Sequence, residues 1–247
     1  MISTRNLSKN FAAFSAVRKV NLEVPQGAVY GFLGANGAGK TTTLKMLMGL
    51  LVPTAGEASI GNLDCHKDRL ALKRLVGYLP DVPQFPSFLQ GREILQMAAE
   101  LHGQSTRDAK RRASELLEWI GLGMMAAEFA DNYSIGLKKR LGLACAIVHD
   151  PAVLLLDEPT NGLDPYATRL IRNWIGEMAQ KGKTIVLSTH RLDFAEHVCS
   201  HLGILHKGEL VVQGELQAIR QQRAAGAHLE DIFFALTGAE DAHAIDS

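Results

Sequence analysis

Apolar residues recur along this 247-residue chain in two alternating rhythms. Continuous runs at 28–33 (AVYGFL), 153–157 (VLLLD) and 184–189 (TIVLST) read as strands. The last two suit strands of a parallel sheet buried on both faces. The alternation Val20, Leu22, Val24 predicts a half-buried strand. Shorter strands are expected at 2–7, 57–60 and 76–79, with a turn-like segment between 7 and 20. A hairpin is expected at 202–205 and 210–212 around the turn HKGE. Helical spacing follows the first two long runs: Leu44, Leu47, Met48 and Leu51, then Leu170, Ile171, Trp174, Ile175 and Met178. The stretch 91–130 is helical in pattern, and its break HGQST offers Ser105 or Thr106 as a cap. Further helices are expected at 70–75 and at 137–148, the second capped by Ser134 and stopped by Pro151.

Punctuation divides this pattern. VPTAG (52–56) is a turn cluster, and Pro80, Pro83 and Pro86 stiffen a loop after the strand at 76–79. A mostly helical stretch set between strands predicts a lobe beside a mixed core. The pair Met124-Met125 reads as gap-filling core. From 217 the chain is partly amphipathic (Leu229, Ile232, Phe233, Leu236), and the pattern weakens after Gly238.

Composition narrows the choices. Lys+Arg and Asp+Glu are both 26, so net charge carries no footprint of nucleic acid or anionic lipid binding. Cys65, Cys145 and Cys199 are too scattered for a disulfide framework or a zinc site, which suits a reducing compartment. The opening MISTRNLSKNF lacks the apolar core of a signal peptide. No 18 consecutive residues are apolar, so membrane association is expected only through a partner.

The chemistry concentrates where strands end. GANGAGKT (34–41) is a G-x-x-x-x-G-K-[ST] phosphate loop with a strand before it and a helix after it. Its glycines let backbone N–H groups turn around an anion, and the helix N-terminus adds positive potential there. Lys40 can reach outer phosphates, and the Thr41 hydroxyl can ligate Mg²⁺. VLLLD ends in Asp157 with Glu158 beside it, at the strand end where open α/β sheets place their chemistry. By position alone Phe11 is either a core residue or a stacking surface, and His190 is a strand-end histidine.

Taken together, these motifs resemble the ATP-binding subunit of an ABC transporter. GANGAGKT matches Walker A, and YSIGL (133–137) followed by KKR matches the signature. VLLLDEP matches Walker B, NGLD (161–164) the D-loop, and His190 after LST the switch histidine. The match covers residues 1 to about 215, and its specificity lies in the order of the motifs. It implies an α/β fold: a P-loop NTPase (RecA-like) core with a small antiparallel β subdomain and a helical lobe. The ATPase domain would span 1–220, with the lobe at about 86–150 and a C-terminal tail at 221–247.

The resemblance also implies roles. Gly34, Ala35, Asn36, Gly37, Ala38, Gly39, Lys40, Thr41 and Thr42 would hold the phosphates of ATP, and Phe11 would stack on adenine. Thr41 and Asp157 would hold Mg²⁺. Glu158 would polarise or deprotonate the attacking water, and His190 would contact the γ-phosphate. Ser134 and Gly136 would face the γ-phosphate bound by a second ATP-binding subunit, with Asp164 in the adjoining D-loop. ATP would then lie between two subunits, as homodimer or heterodimer, and favour their closure.

Two departures from the family pattern stand out. In the signature, Ile135 replaces a Gly and Leu137 a Gln. After VGYLP the family usually has a Gln that couples Mg²⁺ and water to the membrane partner; here the residue is Asp81, shorter and charged, with Gln84 three positions on. YSxGx-K-x-RLGLA, the YLP-acid loop and LEDIFFALTG (229–238) look like subunits of bacterial exporters for drugs, antibiotics or polymers, with a separate permease chain. The chain is thus expected to be an ATPase on the cytoplasmic side of the membrane, peripheral through its permease. Two alternatives are a soluble ABC ATPase acting on ribosomes or DNA, and a non-catalytic regulatory module. The first usually has two modules or a long insertion between the Walker motifs, and intact Lys40, Asp157, Glu158 and His190 argue against the second.

Overall fold

A computed structural model describes residues 1–223 and 228–238. The chain begins with strands β1 (Ile2–Phe11), β2 (Phe14–Val20), β3 (Glu23–Val24) and β4 (Val29–Leu33), then helix α1 (Lys40–Leu47). Strands β5 (Ala55–Ile60) and β6 (Leu63–Asp64), helix α2 (Arg69–Leu75) and strand β7 (Val76–Leu79) follow. Three helices come next: α3 (Gly91–Leu101), α4 (Thr106–Trp119) and α5 (Ile135–Ile147). The chain continues through β8 (Val153–Asp157), α6 (Pro165–Gln180), β9 (Thr184–Thr189), α7 (Leu192–Val198), β10 (His201–His206) and β11 (Glu209–Glu215). It closes with α8 (Leu216–Arg223) and α9 (Leu229–Thr237).

The core sheet has the order β11-β10-β4-β9-β8-β7. All neighbours from β10 to β7 are parallel, and β11 closes one edge as an antiparallel hairpin. Every residue of β4, β8 and β9 is buried, as continuous apolar runs require. Side chains of β8 alternate between two apolar clusters. Leu154 and Leu156 face the cluster built with α3 to α7 and α9, whereas Val153 and Leu155 face the one shared with α1, α2 and the small sheet. Strand β9 lies between β4 and β8, so the carboxyl ends of all three fall side by side. Leu33 pairs with Thr189, and Asp157 with Ser188.

The second sheet, β2-β1-β5-β6 with β3 on β1, is antiparallel. Here the structure departs from the turn-like reading of the segment between 7 and 20. That segment is mostly strand, paired from Leu7↔Val20 to Phe11↔Phe14. Register shifts around Lys9 break the two-residue period, and Ala12 makes the turn at φ 47 without a glycine to mark it.

Two other expectations are corrected. Met124 is 100% exposed in a short 3-10 turn, and only Met125 packs on the core. Helix α9 lies in the stretch read from sequence as a C-terminal tail, of which 224–227 and 239–247 fall outside the described residues. Its Leu229, Ile232 and Phe233 are buried in the main apolar cluster. Just beyond α5, His149 stacks flat on His102 with ring centroids 3.7 Å apart.

Candidate functional site

The site is built at the carboxyl ends of β4, β9 and β8. Beyond Leu33 the chain turns through 34–39 and enters α1 at Lys40. Gly39 caps the helix at φ 106, and a Cβ there would come within 2.4 Å of the Ala16 carbonyl oxygen. Only glycine tolerates both constraints. Ala38 donates its N–H to the Ala35 carbonyl at 3.1 Å, closing the turn. The Ala38 carbonyl accepts the Gly208 N–H at 3.1 Å, and Gly208 in turn accepts the Arg18 N–H at 2.7 Å. The loop therefore rests on both sheets. The first bond within α1 runs from Thr43 N–H to Gly39 O at 2.9 Å, which leaves the N–H groups of Lys40, Thr41 and Thr42 without helical acceptors. Asn36 and Gly37 form the exposed rim.

Lys40 is buried and curls back over the loop. Its ammonium donates to Gly34 O at 2.6 Å and Ala35 O at 3.2 Å, and lies 3.2 Å from Glu158 Oε1. Glu158 Oε2 lies 3.1 Å from His190 Nδ1. One buried carboxylate thus stands between the loop lysine and the histidine that ends β9. Glu158 holds the left-handed backbone conformation, φ 44. Its N–H is shared by the Ser188 hydroxyl at 3.0 Å and the Ser188 carbonyl at 3.2 Å.

Asp157 accepts hydrogen bonds on one oxygen only. Thr41 donates to Oδ1 at 3.0 Å and Ser188 to the same atom at 2.5 Å, while Oδ2 is buried without a partner among the described residues. Burial pushes the Asp157 carboxyl above its ordinary pKa, against the opposing pull of those two donors. A hard cation that keeps most of its shell from water and phosphate, such as Mg²⁺, fits a hydroxyl beside a carboxylate with a free oxygen. No group of three or more His, Cys, Asp or Glu side chains that could hold a metal ion forms among the described residues.

The remaining sequence-derived site residues lie outside this cluster. Ser134 caps α5 by accepting the Leu137 N–H at 3.3 Å, and Tyr133 anchors the segment by donating to Met125 O at 2.6 Å. Ile135 is 68% exposed, and Gly136 packs beside Leu163 of the D-loop segment. No hydrogen bond among the described residues joins this segment to 34–42. Asp164 caps α6, accepting the Ala167 N–H at 2.7 Å. Phe11 is exposed at the tip of the β1–β2 hairpin, with Lys9 Nζ 5.1 Å from its ring centroid.

Two buried polar residues entered the site unseen by pattern. Ser188 read as part of an apolar strand. Lys139 read as one of three basic residues after the signature, although it shares a helix face with Leu143 and Ala146. Its ammonium donates to Glu158 O at 2.5 Å, Asn161 O at 3.1 Å and Asp81 Oδ1 at 3.2 Å.

Comparison with known proteins gives the family. A family profile described as "ABC transporter" matches residues 17–161. The bacitracin transport ATP-binding protein BcrA of Enterococcus faecalis is 38% identical over 223 residues, 90% of this chain and 71% of the relative. A solved ATP-binding subunit of an ABC transporter superposes with TM-score 0.89 at 33% identity, covering 96% of this chain and all of that one. A dimeric ATP-binding cassette in a post-hydrolysis state, bound to ADP and Pi, superposes with TM-score 0.81 at 25% identity over 87% of this chain and 99% of that one. The chain belongs to the ABC transporter family, among its ATP-binding subunits.

Proposed function

We propose that this subunit binds MgATP in the cradle of 34–42 and hydrolyses it with Glu158 as general base. In this reading ATP hydrolysis powers a separate membrane permease in export, with the subunit held at the cytoplasmic face by that permease. The observation that carries the reading is the placing of the Glu158 carboxylate between Lys40 at 3.2 Å and His190 at 3.1 Å, beside Thr41 and Asp157.

The residues act in sequence. The free N–H groups opening α1 take the phosphate oxygens, and the Lys40 ammonium exchanges loop carbonyls for phosphate. Glu158 then loses its lysine partner and is free to accept a proton from water, while His190 on its other oxygen orients it and reaches the terminal phosphate. Thr41 and Asp157 would hold Mg²⁺, which when bound would offset phosphate charge. Phe11, at an exposed hairpin tip, offers its ring to adenine.

The exposed Ser134–Gly136 segment, with Asp164 nearby, supplies the second half of a site whose first half is the phosphate loop of another ATP-binding subunit. A dimeric relative supports that arrangement. The bacitracin-transport relative supports a role in transport. Glu158→Gln tests the reading. It should bind ATP, lose turnover by about 10²-fold or more, and accumulate as an ATP-bound dimer in size-exclusion chromatography. Wild-type rates of hydrolysis in that variant would refute the assignment.

A further inference from the structure

We propose that Lys139 is a positioning residue that ties the Asp81 loop to the backbone carrying Glu158, an inference that rests on the general-base reading above. Lys139 is 1% exposed, deep for a lysine on a helix whose first turn is at the surface. Two features bring it there. Gly77 of β7 lets α5 approach closely, since a Cβ would lie 1.9 Å from the Ala146 carbonyl oxygen. The Ser134 cap then fixes where the first turn begins, and Lys139 points across the ends of the strands.

An ammonium has three N–H donors and no acceptor. Here the three meet three acceptors from three different segments: the Asp81 carboxylate, the Glu158 carbonyl and the Asn161 carbonyl. The side chain is saturated, so none of those segments can move without breaking a bond to a buried charge. Burial pulls the Lys139 pKa down, and the Asp81 carboxylate is the largest influence pushing it back up. Asp81 also accepts from Asn161 Nδ2 at 3.3 Å, which closes a ring of contacts.

The consequence falls on Glu158. Its peptide N–H is held by Ser188, and its carbonyl is held by Lys139 and by the Asn161 N–H at 3.2 Å. Both ends of a left-handed residue are clamped, which fixes the direction of its carboxylate toward Lys40 and His190. Asp81, by contrast, lies on the proline-stiffened loop with about a third of its side chain exposed. A displacement of that loop is therefore felt at the general base through a single ammonium. The Asp81 substitution noted in the sequence thus has a partner: the carboxylate engages a lysine that an amide would hold less strongly.

The test is steady-state ATP hydrolysis by the full chain, with MgATP affinity measured separately. Lys139→Met should lower kcat by about 10²-fold, the scale of a misplaced reacting group, and leave MgATP affinity within about twofold. Lys139→Arg, which keeps charge and donors, should recover most of the rate. Asp81→Ala should lower kcat in the same direction, and Lys139→Met/Asp81→Ala should be no slower than Lys139→Met alone. An unchanged kcat in Lys139→Met, joint loss of kcat and affinity, or multiplied losses in the double variant would overturn the inference. If Lys139→Met fails to fold, Asp81→Ala decides, and wild-type kcat in that surface variant overturns it. A wild-type chain that binds ATP without hydrolysing it overturns the proposed function itself, and this inference with it.

Discussion

Ser188 donates its hydroxyl proton to Asp157 Oδ1 at 2.5 Å, and its oxygen accepts the Glu158 N–H at 3.0 Å. One hydroxyl on the central strand therefore orients the carboxylate that would face the metal and the backbone of the proposed general base. Ser188→Ala removes both links and leaves a buried N–H with only the Ser188 carbonyl. It should cost about 1–3 kcal/mol of stability and lower kcat about tenfold or more with little change in ATP affinity. Urea titration and initial-rate kinetics on the same preparation check both effects.

Asp157 carries a cost in the nucleotide-free chain. Its folded pKa is raised by burial, so the penalty is present above the folded value and relieved as pH falls through it. At neutral pH the charged carboxylate works against folding. Asp157→Asn should raise the melting temperature by about 2–4 °C, the response of a chain this size to ~1 kcal/mol. It should also abolish Mg²⁺-dependent turnover. A lower melting temperature without nucleotide would contradict this account.

His149 gives the chain an acid-sensitive step away from the site. Burial, with help from His102, pulls its pKa from 6.5 to about 4, and Asp150, Lys183 and the Val76 backbone are its other neighbours. The folded value lies below the unfolded one. As pH drops below 6.5 the unfolded chain takes up the proton first, and stability falls until about 4. His149→Phe keeps a ring on His102 and should flatten that part of the pH–stability curve. Melting temperatures across the interval, for wild type and variant, give the comparison.

Helix α9 belongs to the folding unit. Phe233 is buried in the main cluster and lies edge-on to Phe234 with centroids 5.9 Å apart. Phe233→Ala should cost about 3–5 kcal/mol, measurable as a lower urea midpoint with an unchanged slope. A loss under about 0.5 kcal/mol, the level of a surface change, would mean that α9 contributes little.

What the sequence made legible follows from how local each signal is. The phosphate loop is readable because Gly39 needs a positive φ and a bare Cα within a few residues of Lys40, so the requirement is written where it acts. Asp157 and His190 are readable because continuous apolar runs announce buried strands and each residue ends one. The β1–β2 hairpin escaped because its bulges interrupt the period and Ala12 turns it without glycine. Ser188 and Lys139 escaped for a different reason. Their partners lie 31 and as many as 58 positions away, and nothing beside a serine or a lysine in a chain says where it will point.

The turn at Gly208 bears on how the chain is made. Residues leave the ribosome amino end first, so the phosphate loop is synthesised well before β9 and β10. Yet β4 has no neighbour in its own sheet until β9 and β10 arrive, and the bond from Gly208 to Ala38 must wait longer still. Until then the loop has only the β1–β2 side of its support, where Gly39 lies against Ala16. The two-sheet support under the phosphate loop is therefore complete only after Gly208 has been made.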